Sequence, residues 1–299
     1  MRVHLVDGTF ELYRAHFSPR PSRTAPDGRD VKAAVGVVEQ LLTLLGEADE
    51  AVTHLAVAFD NPIRSFRNEL YDGYKSDEGV PPELRAQFDL VEELVGALGV
   101  RVWSMRDFEA DDALATAAHV YAPVAEQIRI LSPDKDLMQC VSDGEAGRAR
   151  VVVVDRIRKT VVDEAGVVAK WGVGPGAIAS LLALTGDSAD GFPGLPGFGA
   201  KTAAALLSAF GTLEAIPDDP AKWPKAVRGA ERLAKIFAAS RAEVSLYRTL
   251  ATLRTDAPID ADADALRVGA LGGPALAALC QKLGAERVSE RADTLRRPV

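Results

Sequence analysis

The sequence predicts an α/β protein, a mostly parallel open sheet with flanking helices, followed by a helical domain. Three observations carry this. Short apolar runs rich in β-branched residues alternate with longer stretches of helical period in the first half of the chain. Strand signals largely vanish after about Ala165. The second half is instead broken by Gly174-Pro175, 191–199, 217–224 and Gly272-Gly273-Pro274. With 299 residues, 47% hydrophobic and 26% charged, the chain can form one large domain or two ordinary ones, and it is neither disordered nor fibrous. No apolar run approaches the ~20 residues that span a bilayer. Met1 leads directly into a strand pattern, so a cytoplasmic, nucleoid-associated protein with no membrane partner is expected.

The elements follow in order. Strands are predicted at 3–6, 55–59, 100–103, 128–131 and 151–154. Helical periodicity covers 31–45, where Val31, Val35, Val38, Leu41, Leu42 and Leu45 share one face, then 84–98, then the stretch opening at Glu109. Between the second strand and the second helix lies a polar connection with Pro62, Gly73, Gly79, Pro81 and Pro82. It is too long for a plain turn and marks a functional or mobile lid at about 61–83. The expected division is a core of 1–165 carrying this lid, and a helical domain of 166–299 with a Gly-rich hairpin at 194–203.

The carboxylates carry the chemistry. Asp7 and Asp60 end the first two strands, Glu109, Asp111 and Asp112 follow the third, and Asp134 and Asp136 follow the fourth. Asp187 and Asp190 repeat a three-residue spacing in the helical half. Open parallel sheets bind ligands at the carboxyl ends of their strands. Any one of these acids reads equally well as a helix cap or turn residue, but that reading does not explain the set. Nine converging carboxylates repel one another, and divalent cations with oxygen ligands, Mg²⁺ or Mn²⁺, resolve the repulsion. Two such ions suit phosphodiester hydrolysis. Setting the nine aside leaves 34 acids against 35 basic residues, so the net charge of −8 does not exclude a polyanionic partner.

Other chemistries fit less well. Cys140, Cys280 and the four histidines are too scattered for a zinc site, and Trp103, Trp171 and Trp223 read as packing anchors. Val6-Asp7-Gly8-Thr9 is superficially that of an aspartyl-nucleophile phosphatase, but Leu5 stands where such enzymes need a second Asp.

Taken together, Leu5 to Gly8, Leu12 to Ala15, Phe59-Asp60, Ser65 to Arg67, Tyr71 to Lys75, Glu109 to Asp112, Asp134 to Leu137, Thr185 to Asp190 and Gly194 to Ala203 resemble the bacterial flap endonuclease/5′–3′ exonuclease family. That family includes the N-terminal nuclease domain of DNA polymerase I, here as a stand-alone chain. The resemblance implies a PIN/5′-nuclease-like fold. It implies that Asp7, Asp60, Glu109, Asp111 and Asp112 hold a first metal, and that Asp134, Asp136, Asp187 and Asp190 complete the shared and second sites. It places Arg67, Tyr74, Lys75 and Arg14 at the scissile phosphate, and Arg64 and Tyr71 against DNA in the lid. Gly194, Gly197, Gly199, Lys201 and Thr202 would form a helix-hairpin-helix element that grips duplex backbone, with a K⁺ ion.

Two departures stand out. Ser76-Asp77-Glu78-Gly79 is acidic where the family places a further basic residue, which favours trimming over flap threading. Gly191 replaces the family's Asn, which would loosen local support. The implied activity is a structure-specific 5′ nuclease, exonuclease and flap endonuclease, of replication and repair. Its substrates are DNA with 5′ flaps, nicks or 5′ ends and RNA primers annealed to DNA. The alternatives are a catalytically silent DNA-junction binding protein and a ribonuclease of the related acidic-site fold.

Overall fold

A computed structural model describes residues 1–145 and 147–295. Six strands, β1 (Arg2–Asp7), β2 (His54–Asp60), β3 (Arg101–Met105), β4 (Gln127–Leu131), β5 (Arg150–Asp155) and β6 (Thr160–Val162), form one sheet in the order β3-β2-β1-β4-β5-β6. All neighbours are parallel except the β5–β6 pair. The first five are the predicted strands. The short edge strand β6 has no such signal in the sequence.

The helices are α1 (Gly8–Phe17), α2 (Lys32–Gly46), α3 (Arg67–Leu70), α4 (Pro82–Arg85), α5 (Phe88–Leu98), α6 (Ala110–Tyr121), α7 (Glu164–Trp171), α8 (Ile178–Thr185), α9 (Ala200–Phe210), α10 (Ala230–Ala239), α11 (Arg241–Ala251), α12 (Pro274–Leu283) and α13 (Glu286–Thr294). The single helix predicted at 84–98 is two, because Gln87 is used elsewhere. Its buried side-chain carbonyl accepts the Ala33 and Ala34 N–H groups at 3.0 Å each, and so caps α2, which lacks a cap of its own.

Strand alternation sorts the core into two layers. Leu55, Val57 and Phe59 face a layer built with α2 and α5, while Ala56 and Ala58 face the layer of α6, α8 and α9. This second layer is continuous with the helical half: Val151 and Val153 share it with Leu181, Phe198 and Phe237. Among the described residues, no single helix is long and apolar enough to cross a membrane.

The expected division at 166–299 needs correction. After α11 the chain returns across the core, with Val268 N–H donating to Thr53 O at 3.0 Å and Gly272 N–H to Leu98 O at 2.9 Å. Leu276, Cys280, Leu283 and Val288 of α12 and α13 are buried in the α2/α5 layer. These two helices therefore complete the first unit, because α2 and α5 present an apolar face that only they cover; residues 296–299 lie outside those described.

Candidate active site

The acids gather at the carboxyl edge of the sheet, on either side of β1, where the strand order reverses. Asp7 closes β1 and also caps α1, accepting the Phe10 N–H at 2.8 Å and the Ser132 hydroxyl at 2.9 Å. Asp60 closes β2 and accepts the Ala110 N–H at 2.7 Å, which fixes the start of α6 to the strand end. Asp134 accepts the Asp136 N–H at 2.8 Å in the turn after β4. Asp187 and Asp190 stand in the loop after α8, held by paired Asp187–Phe192 backbone bonds of 2.8 and 3.1 Å.

The electrostatics record crowding. Burial raises Asp7 to about 7, and the charges of Asp60 and Asp134 add to it. Burial raises Asp111 well above the carboxylate range, with Asp134 and Asp7 next in weight. Burial likewise raises Asp136, reinforced by Asp134 and Asp190. Asp60 and Asp190 are raised by burial and by the Glu109 charge, against the pull of Lys75. Eight of the nine predicted acids thus stand together.

Glu109 alone moves down. Burial opposes the shift, but the Lys75 and Arg67 charges outweigh it and hold Glu109 at about 2. Lys75 Nζ lies 2.8 Å from Glu109 Oε2 and 3.2 Å from Asp190 Oδ1, so it bridges core and helical half at the centre of the cluster. A second ammonium, Lys135, pairs with Asp187 and stands 3.8 Å from Asp136.

These donors fit divalent metal ions. Asp136, Asp187 and Asp190 each present an oxygen within 4.8 Å of the others, and Asp136 Oδ1 is buried without a hydrogen-bond partner. A hard cation needs such an all-oxygen set.

Four expectations are corrected. Arg67 does not face the cluster's opening: it is 1% exposed and forms two bonds of 2.7 Å to Asp112. Asp112, fully buried, turns away from the other acids because both its oxygens are spent on Arg67 and on backbone N–H groups. Tyr74 is buried too and donates to Glu109 Oε2 at 3.3 Å, so it braces a carboxylate. Gly191 does not loosen its surroundings. Its φ is +88°, and a Cβ there would come within 2.1 Å of Gly73 O, so only glycine lets the lid dock.

Among the remaining predicted residues, Arg14 is held by Glu11 on its own helix, and Arg64 is exposed. Tyr71 packs edge-on against Tyr247 of α11 at 6.0 Å. Gly194 serves the fold, since a Cβ there would meet Gly186 N at 2.2 Å, and Gly197 lies under the Arg232 guanidinium. Gly199 opens α9 with free space around it and no side-chain cap, next to exposed Lys201 and half-buried Thr202.

Sequence reasoning missed Ser65, Ser132 and Lys135. Ser65 donates to Glu109 Oε1 at 2.6 Å, while Ser132 joins Asp7 to the Asp134 N–H. Their adjacency to the acids was the available signal.

Residues 2–172 match the family model of the 5′–3′ exonuclease N-terminal resolvase-like domain, and residues 173–272 that of its C-terminal SAM fold. The chain belongs to the 5′–3′ exonuclease family. This 5′–3′ exonuclease family member is 31% identical to a 5′–3′ exonuclease of Aquifex aeolicus, over 89% of this chain and 86% of that one. It is 38% identical to DNA polymerase I of Rhizobium leguminosarum over 92% of its own length, but spans only 26% of that polymerase. Its fold is also that of the bacteriophage T5 flap endonuclease solved with DNA and metal ions: TM-score 0.65, 18% identity, 99% of this chain and 98% of that one covered.

Proposed function

We propose that the chain is a structure-specific 5′ nuclease that hydrolyses DNA phosphodiesters to 5′-phosphate and 3′-hydroxyl ends. The observation that carries this reading is the buried convergence of Asp7, Asp60, Asp111, Asp134, Asp136, Asp187 and Asp190 around Lys75, with oxygens already at metal-binding separations. Asp136, Asp187 and Asp190 would hold one cation, and Asp7, Asp60, Asp111 and Asp134 the other. Mg²⁺ or Mn²⁺ bound there supplies an activated water and charge stabilisation for in-line displacement. Lys75, released from Glu109 and Asp190 as cations take over their charge, is the side chain placed to meet a non-bridging phosphate oxygen.

The duplex would lie on the helical half. Arg241 and Arg248 there are paired with Asp218 and Glu214. Lys201, Lys222, Lys225, Arg228, Arg232 and Lys235 are exposed and carry no ion pair among the described residues. The Phe198–Trp223–Phe237 ring cluster holds the hairpin against this basic segment, giving a surface for phosphates without base readout; a K⁺ ion at the hairpin belongs to the same reading. A cleft of about 340 Å³ under the lid is lined by Asp60, Lys75 and Glu78. An acid in that approach favours 5′-end trimming over passage of a long single-stranded flap.

The test is single-turnover cleavage of labelled 5′-flap, nicked, blunt, single-stranded and RNA-ended substrates with Mg²⁺, Mn²⁺ or EDTA. Metal-dependent products from the 5′ end, lost in Asp134→Asn and Asp136→Asn while DNA binding persists, are expected. Binding without cleavage would make the protein a junction-binding module, and a preference for RNA would make it a ribonuclease.

A further inference from the structure

We propose that Arg67 and Asp112 form a positioning pair that ties the geometry of the acidic centre to the docking of the helical half, touching neither metal nor phosphate. The argument is one of saturation. Asp112 Oδ2 accepts from Arg67 Nη1 at 2.7 Å and from the Glu109 N–H at 3.1 Å. Its Oδ1 accepts from Arg67 Nη2 at 2.7 Å and from the Arg254 N–H at 2.9 Å. A carboxylate has about four acceptor sites, and all are taken.

Arg67 is equally spent. Nε donates to Leu250 O at 2.8 Å and Nη2 to Thr252 O at 3.0 Å, while Nη1 also faces Glu109 Oε1 at 3.3 Å. Together with the two bonds to Asp112, these account for all five guanidinium N–H groups. Neither side chain has a lone pair or proton left for a ligand.

The pair joins three parts of the molecule. Arg67 opens α3 at the base of the lid, Asp112 is the third residue of α6, and Leu250, Thr252 and Arg254 belong to the end of α11 and the strand of chain that follows it. Glu109 caps α6 in a reciprocal bond with Asp112, and Asp111 lies between them. Displacing the 250–254 segment would pull on Arg67 and Asp112 together, and through them would turn Glu109 and Asp111. The helical half is thereby coupled to the carboxylates of the core through a dry, fully bonded contact.

This inference rests on the reading of the acids as a metal centre, and Mn²⁺ binding separates the two. Mn²⁺ is titrated by electron paramagnetic resonance into the full chain, without DNA, below the unfolding midpoint of each variant. Asp112→Asn is expected to weaken Mn²⁺ binding about 10- to 100-fold, the usual loss for a residue that supports metal ligands, at unchanged stoichiometry. Asp136→Asn should instead lose an equivalent. Arg67→Lys, which keeps the charge but not the planar fork, should shift Mn²⁺ affinity in the same direction and leave DNA affinity in EDTA unchanged. It carries the test if Asp112→Asn does not fold. The double variant should be no weaker than the worse single one, because the two act as a unit.

A lost Mn²⁺ equivalent in Asp112→Asn would make Asp112 a ligand and overturn the proposal. So would reduced stability with unchanged Mn²⁺ affinity, which would leave the pair a merely structural one, or weakened DNA binding by Arg67→Lys at unchanged Mn²⁺ affinity. A wild-type chain that binds no Mn²⁺ would sink the metal-centre reading itself.

Discussion

Gly191 and Gly73 meet backbone to backbone: a Cβ on Gly191 would lie 2.1 Å from the Gly73 carbonyl oxygen. Two residues beyond Gly73, the Lys75 N–H donates to Asp190 O at 3.0 Å. The lid is thus docked on the same loop that carries the Asp187 and Asp190 carboxylates, and the contact decides where the Lys75 ammonium stands. Replacing Gly191 by Ala must relieve the clash and also adopt a φ of +88°. We expect Gly191→Ala to cost about 1–3 kcal/mol in urea unfolding and to slow single-turnover cleavage by moving Lys75; unchanged values of both would remove the contact from the account.

Lys75 itself is a sharper test of mechanism. Its Nζ sits among Glu109, Asp190 and Asp60, all of which hold its charge firmly. Lys75→Ala should lower the single-turnover rate by about 10²- to 10³-fold, the cost of losing one preorganised charge donor. Mn²⁺ stoichiometry should be unchanged, because no ligand oxygen is removed. A rate within twofold of wild type would exclude the ammonium from the chemical step.

The acids of the lid predict substrate choice. Glu78 is exposed and lines the cleft beneath the lid, while Asp77 accepts the Ile63 N–H at 2.9 Å and closes the lid on itself. Glu78→Lys reverses the charge met by an incoming strand. It should raise cleavage of a long 5′ flap about tenfold at low salt and leave removal of a recessed 5′ nucleotide little changed. Equal gains on both substrates would mean that the residue acts on general DNA affinity.

The basic segment of the helical half sets the salt response. Lys225→Ala combined with Arg228→Ala removes two exposed cations. If both meet phosphates, the slope of log K against log salt for duplex binding becomes shallower by about 1.8, with no change in sequence preference. An unaltered slope would place the duplex elsewhere.

One group far from the acids governs stability at mildly acidic pH. His4 is fully buried on β1, its Nε2 is 3.0 Å from Glu50 Oε2, and its Nδ1 has no partner. Burial lowers it to about 4, against the pull of Glu50. The unfolded chain takes up a proton below its ordinary value of about 6.5, whereas the folded chain does not until about 4. Stability therefore falls as the pH drops from about 6.5 to 4, by up to about 3 kcal/mol. His4→Gln keeps a donor to Glu50 and does not titrate. The difference between its denaturation curves and those of wild type across that window should show this slope, and parallel curves would refute it.

The sequence by itself determined the five parallel strands, the acids at their carboxyl ends and the helical second half. These are local properties: hydrophobic period and the residue type at a strand end are set by neighbours a few positions away. Ordered motifs made the family legible for the same reason. Only the tertiary structure decided which of those residues face the site. Asp112 follows Asp111 directly, yet it points at Arg67 and at the Arg254 N–H, 45 and 142 positions away. No periodicity in the chain encodes that pairing. Tyr74 turns inward to Glu109, Gly191 is fixed by the backbone of Gly73, and α12 and α13 cover α2 and α5. In each case the deciding partner is distant in sequence, and burial leaves polar groups no choice but to find it.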